Sequence, residues 1–302
     1  MQQIITALWP VFALLLLGFW ARRSDFPGEG FWQPAEKATY YVLFPALLIG
    51  RLSQAELGGE ASFQLIVTML ALLLGGSLLC VLLQPLLRLS GSAYTSFFQG
   101  AMRFNTYVAL AVTAALYANE GIVYAAVITA VMIPTLNLLC ILAFAATAAA
   151  RPSLLQMLRT LLTNPLILSC LLGIALSVTG VGLPQPMASV LELLSRMALP
   201  LGLLAVGAGL NLRALRQGGR ALWAANLIKL LLFPLATLLL AGWLELDRTM
   251  TGVLVVFAAV PTATSAYILA RQLGGDAELM AAIITAQTLL AMLSLPLVLM
   301  LV

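Results

Sequence analysis

The sequence of 302 residues has no histidine, three cysteines, and only 15 Lys and Arg with 11 Asp and Glu. Without histidine there are no imidazole metal ligands, no Ser/His or Cys/His nucleophile pairs and no imidazole proton relays. A charged fraction of 9% is far below the roughly one quarter usual for soluble domains. Together with 62% hydrophobic residues and a mean hydropathy of +1.06, it excludes an ordinary soluble fold and a disordered chain. The net charge of +4 is spread over connections, so no basic face offers itself to nucleic acid. Cys80, Cys140 and Cys170 all sit inside apolar runs and read as small packing residues. No phosphate-binding Gly-Lys-Ser/Thr loop occurs, so neither an ATP site nor a cofactor is expected.

What the chain has in abundance is apolar sequence interrupted at intervals. Ten stretches stand out, at 3–21, 36–54, 61–84, 94–117, 121–147, 161–179, 187–210, 220–243, 249–271 and 277–301. Each approaches the ~20 residues needed to cross a bilayer. Gly, Pro and charged clusters separate them, among them Pro27-Gly28, Gly58-Gly59-Glu60, Asn119-Glu120, Arg151-Pro152, Gly218-Gly219 and Gly274-Gly275-Asp276. The first stretch has no charge before it and Arg22-Arg23 after it, the reverse of a cleavable signal, so a retained first helix is expected.

Basic residues set the orientation. The odd-numbered connections carry Arg22, Arg23, Lys37, Arg88, Arg151, Arg159, Arg213, Arg216, Arg220 and Arg271. The even-numbered ones carry only Arg51, Arg196 and Arg248, with Glu56, Glu60, Glu120, Glu192, Glu245 and Asp247 beside them. The expectation is a multi-pass protein of the cell (inner) membrane, its odd connections cytoplasmic and both termini on the outer, periplasmic face.

The two halves also repeat. Trp9-Pro10 and Asn164-Pro165, Gly18 and Gly173, and Phe44-Pro45 and Leu199-Pro200 share a spacing of 155 residues. Ala125 to Ala130 returns 156 residues later as Ala281 to Ala286. A constant offset across three helix pairs points to a duplicated unit, residues 1–150 and 151–302. Five helices per unit is an odd number, so the second unit enters the membrane inverted. Inverted repeats are the architecture of secondary transporters, which hold substrate near the midplane on interrupted helices.

Few polar residues lie deep in the stretches, which makes them conspicuous. Arg103 is about ten residues into the fourth stretch, ~15 Å deep at 1.5 Å per residue. An arginine there costs at least ~2.5–3.5 kcal/mol, so it needs water or a partner. It reads either as a cation facing an anion in a wet cavity, or as a tie to carbonyls at a helix break. Asn105, Thr106 and Tyr107 follow it. Pro261 lies at the corresponding depth of the ninth stretch and must kink or break that helix. Thr262, Thr264 and Ser265 can satisfy the freed backbone or bind substrate. At an offset of 156, Asn105 falls on Pro261. Lys229 is a second cation inside an apolar run, able to snorkel, to pair, or to add positive potential. Asn137, Gln287 and Asn226 are weaker candidates, with helix-to-helix hydrogen bonding as their default role. No Asp or Glu is placed deep in any stretch, so the balance of deep charge favours an anionic substrate over a cationic one and disfavours carboxylate-based proton coupling.

Several of these segments form an ordered series. Arg103-Phe104-Asn105-Thr106, Asn164-Pro165-Leu166-Ile167, Ala198-Leu199-Pro200-Leu201, Gly207 to Leu210, Val260-Pro261-Thr262-Ala263, Leu269-Ala270-Arg271 and Gly274-Gly275-Asp276-Ala277-Glu278 resemble the auxin efflux carrier family. That family includes plant carriers of the PIN type and bacterial carriers of malonate-like and malate-like acids. The resemblance covers nearly the whole chain. It implies an all-α membrane protein of ten transmembrane helices, two inverted five-helix repeats, similar to bile-acid/sodium symporters and sodium/proton antiporters. Helices 1, 2, 6 and 7 would form a scaffold able to pair into a homodimer. Helices 3–5 and 8–10 would form a moving transport domain, with broken helices 4 and 9 crossing at Asn105 and Pro261. The short connection at 148–160 and the absence of a proline after Arg103-Phe104-Asn105-Thr106 depart from the family pattern. The expected function is elevator-type transport of small organic anions, with Arg103, Asn105, Thr106, Tyr107, Asn137, Lys229, Pro261, Thr262, Thr264, Ser265 and Gln287 as candidate substrate-binding residues and no catalytic or metal site. The alternative is a sodium-coupled organic-acid symporter using hydroxyls and carbonyls near Thr262, Thr264, Asn105 and Asn137, and a more distant one is a membrane sensor that does not transport.

Overall fold

A chain this apolar can only satisfy its backbone inside lipid by closing hydrogen bonds within each segment, which selects helices. The computed structural model describes residues 2–54, 59–147 and 163–302, and no strand occurs among them. Glu56 and the connection 148–160, with Arg151 and Arg159, lie outside the described residues. Each of the ten apolar stretches is occupied by helix over most of its described length. Among the described residues, five segments are long and apolar enough to cross a membrane by length and composition: Phe63–Leu87, Gly91–Thr147, Gln185–Ala208, Arg220–Trp243 and Ala277–Leu299.

The first half contains α1 (Gln2–Arg23), α2 (Glu29–Ala38), α3 (Phe44–Leu52), α4 (Gly59–Leu87), α5 (Gly91–Met102) and α6 (Thr106–Thr147). The second contains α7 (Pro165–Thr179), α8 (Gln185–Ala208), α9 (Arg220–Leu227), α10 (Phe233–Trp243), α11 (Arg248–Ala259), α12 (Ser265–Leu273) and α13 (Ala277–Leu299). Polar side chains start several of them. Ser90, Asn164, Asp247 and Asp276 each accept a backbone N–H from the first turn of α5, α7, α11 and α13. Ala118 (φ 49°, ψ −137°) interrupts α6 just before Asn119-Glu120, at the boundary between the fourth and fifth stretches.

Proline shapes the segments it does not end. Widened π-turns at Thr39–Leu43 and Ile228–Leu232 join α2 to α3 and α9 to α10. Each is followed by a Phe-Pro pair, Phe44-Pro45 and Phe233-Pro234. A proline lacks the N–H for the next ladder bond, and its ring displaces the preceding carbonyl, so the helix opens by one residue instead of breaking.

The helices pack in two groups. α8 packs against α1 and α3, and α3 against α7, while α4, α5 and α6 pack with α9 to α13; α6 also touches α1, α3, α7 and α8 and so joins the two groups. α1 and α8 approach most closely at Gly18 and Gly207, where a Cβ would overlap the backbone carbonyls of Leu204 and Leu15. The buried interior includes Phe44, Phe97 and Phe257. The outside is apolar too, with Trp9, Trp20, Leu82, Leu86, Leu239 and Trp243 all exposed. So much exposed apolar surface, with tryptophans near helix ends, belongs against lipid.

Candidate functional site

Two helices stop in mid-protein and meet. α5 ends at Met102 and Arg103 is extended (φ −75°, ψ 154°); α11 ends at Ala259 and Val260 is extended in nearly the same way (φ −71°, ψ 153°). The chain resumes as α6 at Thr106 and as α12 at Ser265. Between the two breaks the Asn105 N–H donates to the Pro261 carbonyl at 2.7 Å.

The second break has its proline. The first has none, and is built by side chains instead. The Asn105 Oδ1 accepts from the N–H groups of Tyr107 (3.1 Å) and Val108 (3.2 Å), so this residue starts α6 in the manner of an N-cap. A helix that ends leaves carbonyls without partners, and Gly100 O is one of them. It accepts from the Thr262 hydroxyl at 2.6 Å and from the Gln287 amide at 2.9 Å. Gln287 also accepts the Thr262 N–H at 2.8 Å. Thr262 and Gln287 are fully buried, and these bonds hold the two breaks together.

Beside the crossing lies a cavity of about 570 Å³. From the residues singled out in the sequence it is lined by Arg103, Asn105, Thr106, Tyr107, Asn137, Thr264 and Ser265. Pro261, Thr262, Gln287 and Lys229 are not among its walls. Arg103 donates from Nη2 to Asn137 Oδ1 over a long 3.4 Å. Its Nη1 and the Nδ2 of Asn105 are buried donors without a hydrogen-bond partner. Donors left in this state cost free energy until an acceptor arrives. The Tyr107 ring is fixed by stacking on Phe44, with centroids 4.6 Å apart and planes 7° from parallel.

Lys229 does not snorkel. Its side chain is fully buried, with Nζ 3.1 Å from the centroid of the Phe104 ring and donating to Phe257 O at 3.4 Å. Phe104, itself a wall of the cavity, stands beside it, so Lys229 packs behind the crossing and makes no wall of the cavity.

The comparisons with known proteins follow the same residues from end to end. A family model described as Membrane transport protein matches residues 3–299. The chain belongs to that family. It is the auxin-efflux-like family that the ordered motifs resemble. A relative from Methanothermobacter thermautotrophicus, described as an uncharacterized transporter, is 27% identical over 293 residues, covering 95% of this chain and 94% of its own. The chain is therefore a multi-pass membrane protein of a transporter family, not of an enzyme family.

In this transporter the structure also brings in residues that sequence reasoning missed. Glu36, Lys37 and Tyr40 of the α2 region line the same cavity, as does Asn164 at the start of α7. The Thr264 hydroxyl donates to Glu36 Oε1 at 3.2 Å, so a carboxylate does reach the crossing. The only signal in the sequence was a Glu-Lys pair at the very start of the second stretch, where an acid reads as a solvated end. A second cavity of about 580 Å³ lies on the other side of this pair, sharing Glu36, Thr264 and Ile268 with the first and bounded further by Asn211, Arg213 and Glu278.

Proposed function

We propose that the protein is a secondary carrier of small organic anions across the cytoplasmic membrane. The observation that carries this reading is the crossing itself. Two interrupted helices meet beside a cavity of about 570 Å³ walled in part by Arg103 and Asn105, each of which carries a buried nitrogen donor without a hydrogen-bond partner among the described residues. A carboxylate in the cavity would accept from the Arg103 guanidinium, and charge-assisted hydrogen bonds of this kind are the strong ones. The ends of interrupted helices add their dipoles to the same place.

Ten crossings arranged as two inverted units of five, residues 1–150 and 151–302, remain the topology we favour. The support is local: α5 and α11 are each 12 residues long, each ends in an extended residue, and Asn105 and Pro261 are hydrogen-bonded partners. In the orientation given by the arginines, Lys37, Arg213 and Glu278 belong to cytoplasmic connections and wall the two cavities, so this is a cytoplasm-facing state. An elevator motion would slide the α4–α6 and α9–α13 group against α1, α3, α7 and α8, the latter being the scaffold and the surface for a homodimer. Both termini then face the periplasm.

A screen of purified protein against carboxylates by thermal shift tests the reading. A bound anion stabilises by RT ln(1 + [L]/Kd), about 2.7 kcal/mol at a hundredfold excess over Kd. Stabilisation by carboxylates that disappears in Arg103→Ala is the expected result. A flat response across monocarboxylates, dicarboxylates, indole acids and amino acids would remove the anion assignment.

A further inference from the structure

We infer that the preferred substrate is a zwitterion of the amino-acid type, its carboxylate held by Arg103 and Asn105 and its ammonium by Glu36. The inference rests on the anion-carrier reading above and narrows it to amino-substituted acids.

The cavity is not uniformly positive. Arg103 and Glu36 line it together, yet among the described residues no ion pair joins them. Tyr40 and Tyr107 line the same cavity beside them, so both charges border one space. Neither meets an opposite charge. Arg103 has a long bond to Asn137, the Cys140 thiol beside it and an Nη1 without a hydrogen-bond partner among the described residues; Glu36 accepts at Oε1 from a neutral hydroxyl. Unpaired opposite charges at a protein interior are costly to hold apart, and a ligand bearing both complementary charges relieves both at once. A plain anion relieves only one and brings a like charge beside Glu36. That carboxylate therefore works against simple acids as well as for amino acids.

The dimensions agree. A space of 570 Å³ is about 10 Å across if taken as a sphere. A cavity of this size is within the range that takes small-molecule ligands, and an amino acid with its charged groups a few carbons apart fits inside it. Lys37 is the other charged side chain of this cavity, but it is exposed and water screens it. Arg213 and Glu278 belong to the second cavity, where they offset each other in sign.

The test is a comparison of matched pairs on purified wild-type protein: 4-aminobutyrate with butyrate, and phenylalanine with 3-phenylpropionate, at one pH. At least one amino acid should bind tenfold or more tightly than its partner lacking the amino group. In Glu36→Gln that ratio should fall to about one, with the affinity for the plain acid unchanged or improved. Equal affinities within both pairs in wild-type protein overturn the inference and leave the anion carrier standing. So does a preference for the amino acid that survives intact in Glu36→Gln. Failure of both members of both pairs to bind overturns the inference together with the reading on which it rests.

Discussion

Replacing Arg103 by alanine should cost the protein its ligand before it costs the protein its fold. The side chain's contacts with its neighbours are weak, a 3.4 Å hydrogen bond to Asn137 and the Cys140 thiol beside it, which places them at the low end of the ~0.5–1.5 kcal/mol range. Nothing is left buried and charged by its removal, since no carboxylate pairs with it among the described residues. A loss of ~0.5 kcal/mol corresponds to a melting shift of only one or two degrees. Binding is different. An anion bonded to the guanidinium gains ~1.5–3 kcal/mol from that contact, so Arg103→Ala should weaken affinity by about ten- to a hundredfold. Arg103→Lys keeps the charge and loses the planar fork, and should recover part of the affinity. Melting temperature and ligand affinity measured on the same purified variants separate the two roles. A large drop in melting temperature with unchanged affinity in the surviving protein would show that the arginine is a strut and refute the reasoning.

Other consequences follow from single contacts. Thr262→Val removes one of the two hydrogen bonds to Gly100 O and should lower the melting temperature by the ~0.5–1.5 kcal/mol of a lost bond, since Gln287 still serves that carbonyl, whereas a conservative Thr262→Ser should not; equal melting of both variants would contradict the tie between the two breaks. Pro261→Ala restores an N–H that lets α11 continue, which withdraws the Pro261 carbonyl from Asn105, so transport should fall sharply at normal expression, and wild-type flux would mean the break is dispensable. Cysteines at Arg216 and Glu245, in a background lacking the native three, should label from opposite sides of the membrane; labelling from one side would break the topology.

The helices were legible because lipid allows few alternatives. Long apolar runs must be helical, and Asn119-Glu120, Asn164-Pro165 and Gly274-Gly275-Asp276 are residues that start or stop helices for local reasons. The break at Pro261 is equally local. The break after Met102 is less so: its residues could continue a helix, and it stays open because Asn105 caps α6 while Thr262 and Gln287, more than 150 residues away, serve the carbonyl of Gly100. Lys229 could not be read from sequence for the same reason, since snorkelling and burial differ only in what surrounds the chain. Glu36 escaped because its depth is a tertiary property. It starts its stretch, yet α2 packs against α8 and the crossing segment reaches out to it through Thr264. The sites that sequence missed are those made by contacts between distant segments.

Counterflow in proteoliposomes tests the central claim most directly. Vesicles holding purified protein and preloaded with an unlabelled acid that binds it should transiently accumulate the labelled acid from outside, with no ATP and no ion gradient, and Arg103→Ala vesicles should lose the overshoot at the same external concentration. Binding of the acid by the wild-type protein with no counterflow in those vesicles would contradict the account and leave a membrane-bound receptor in its place.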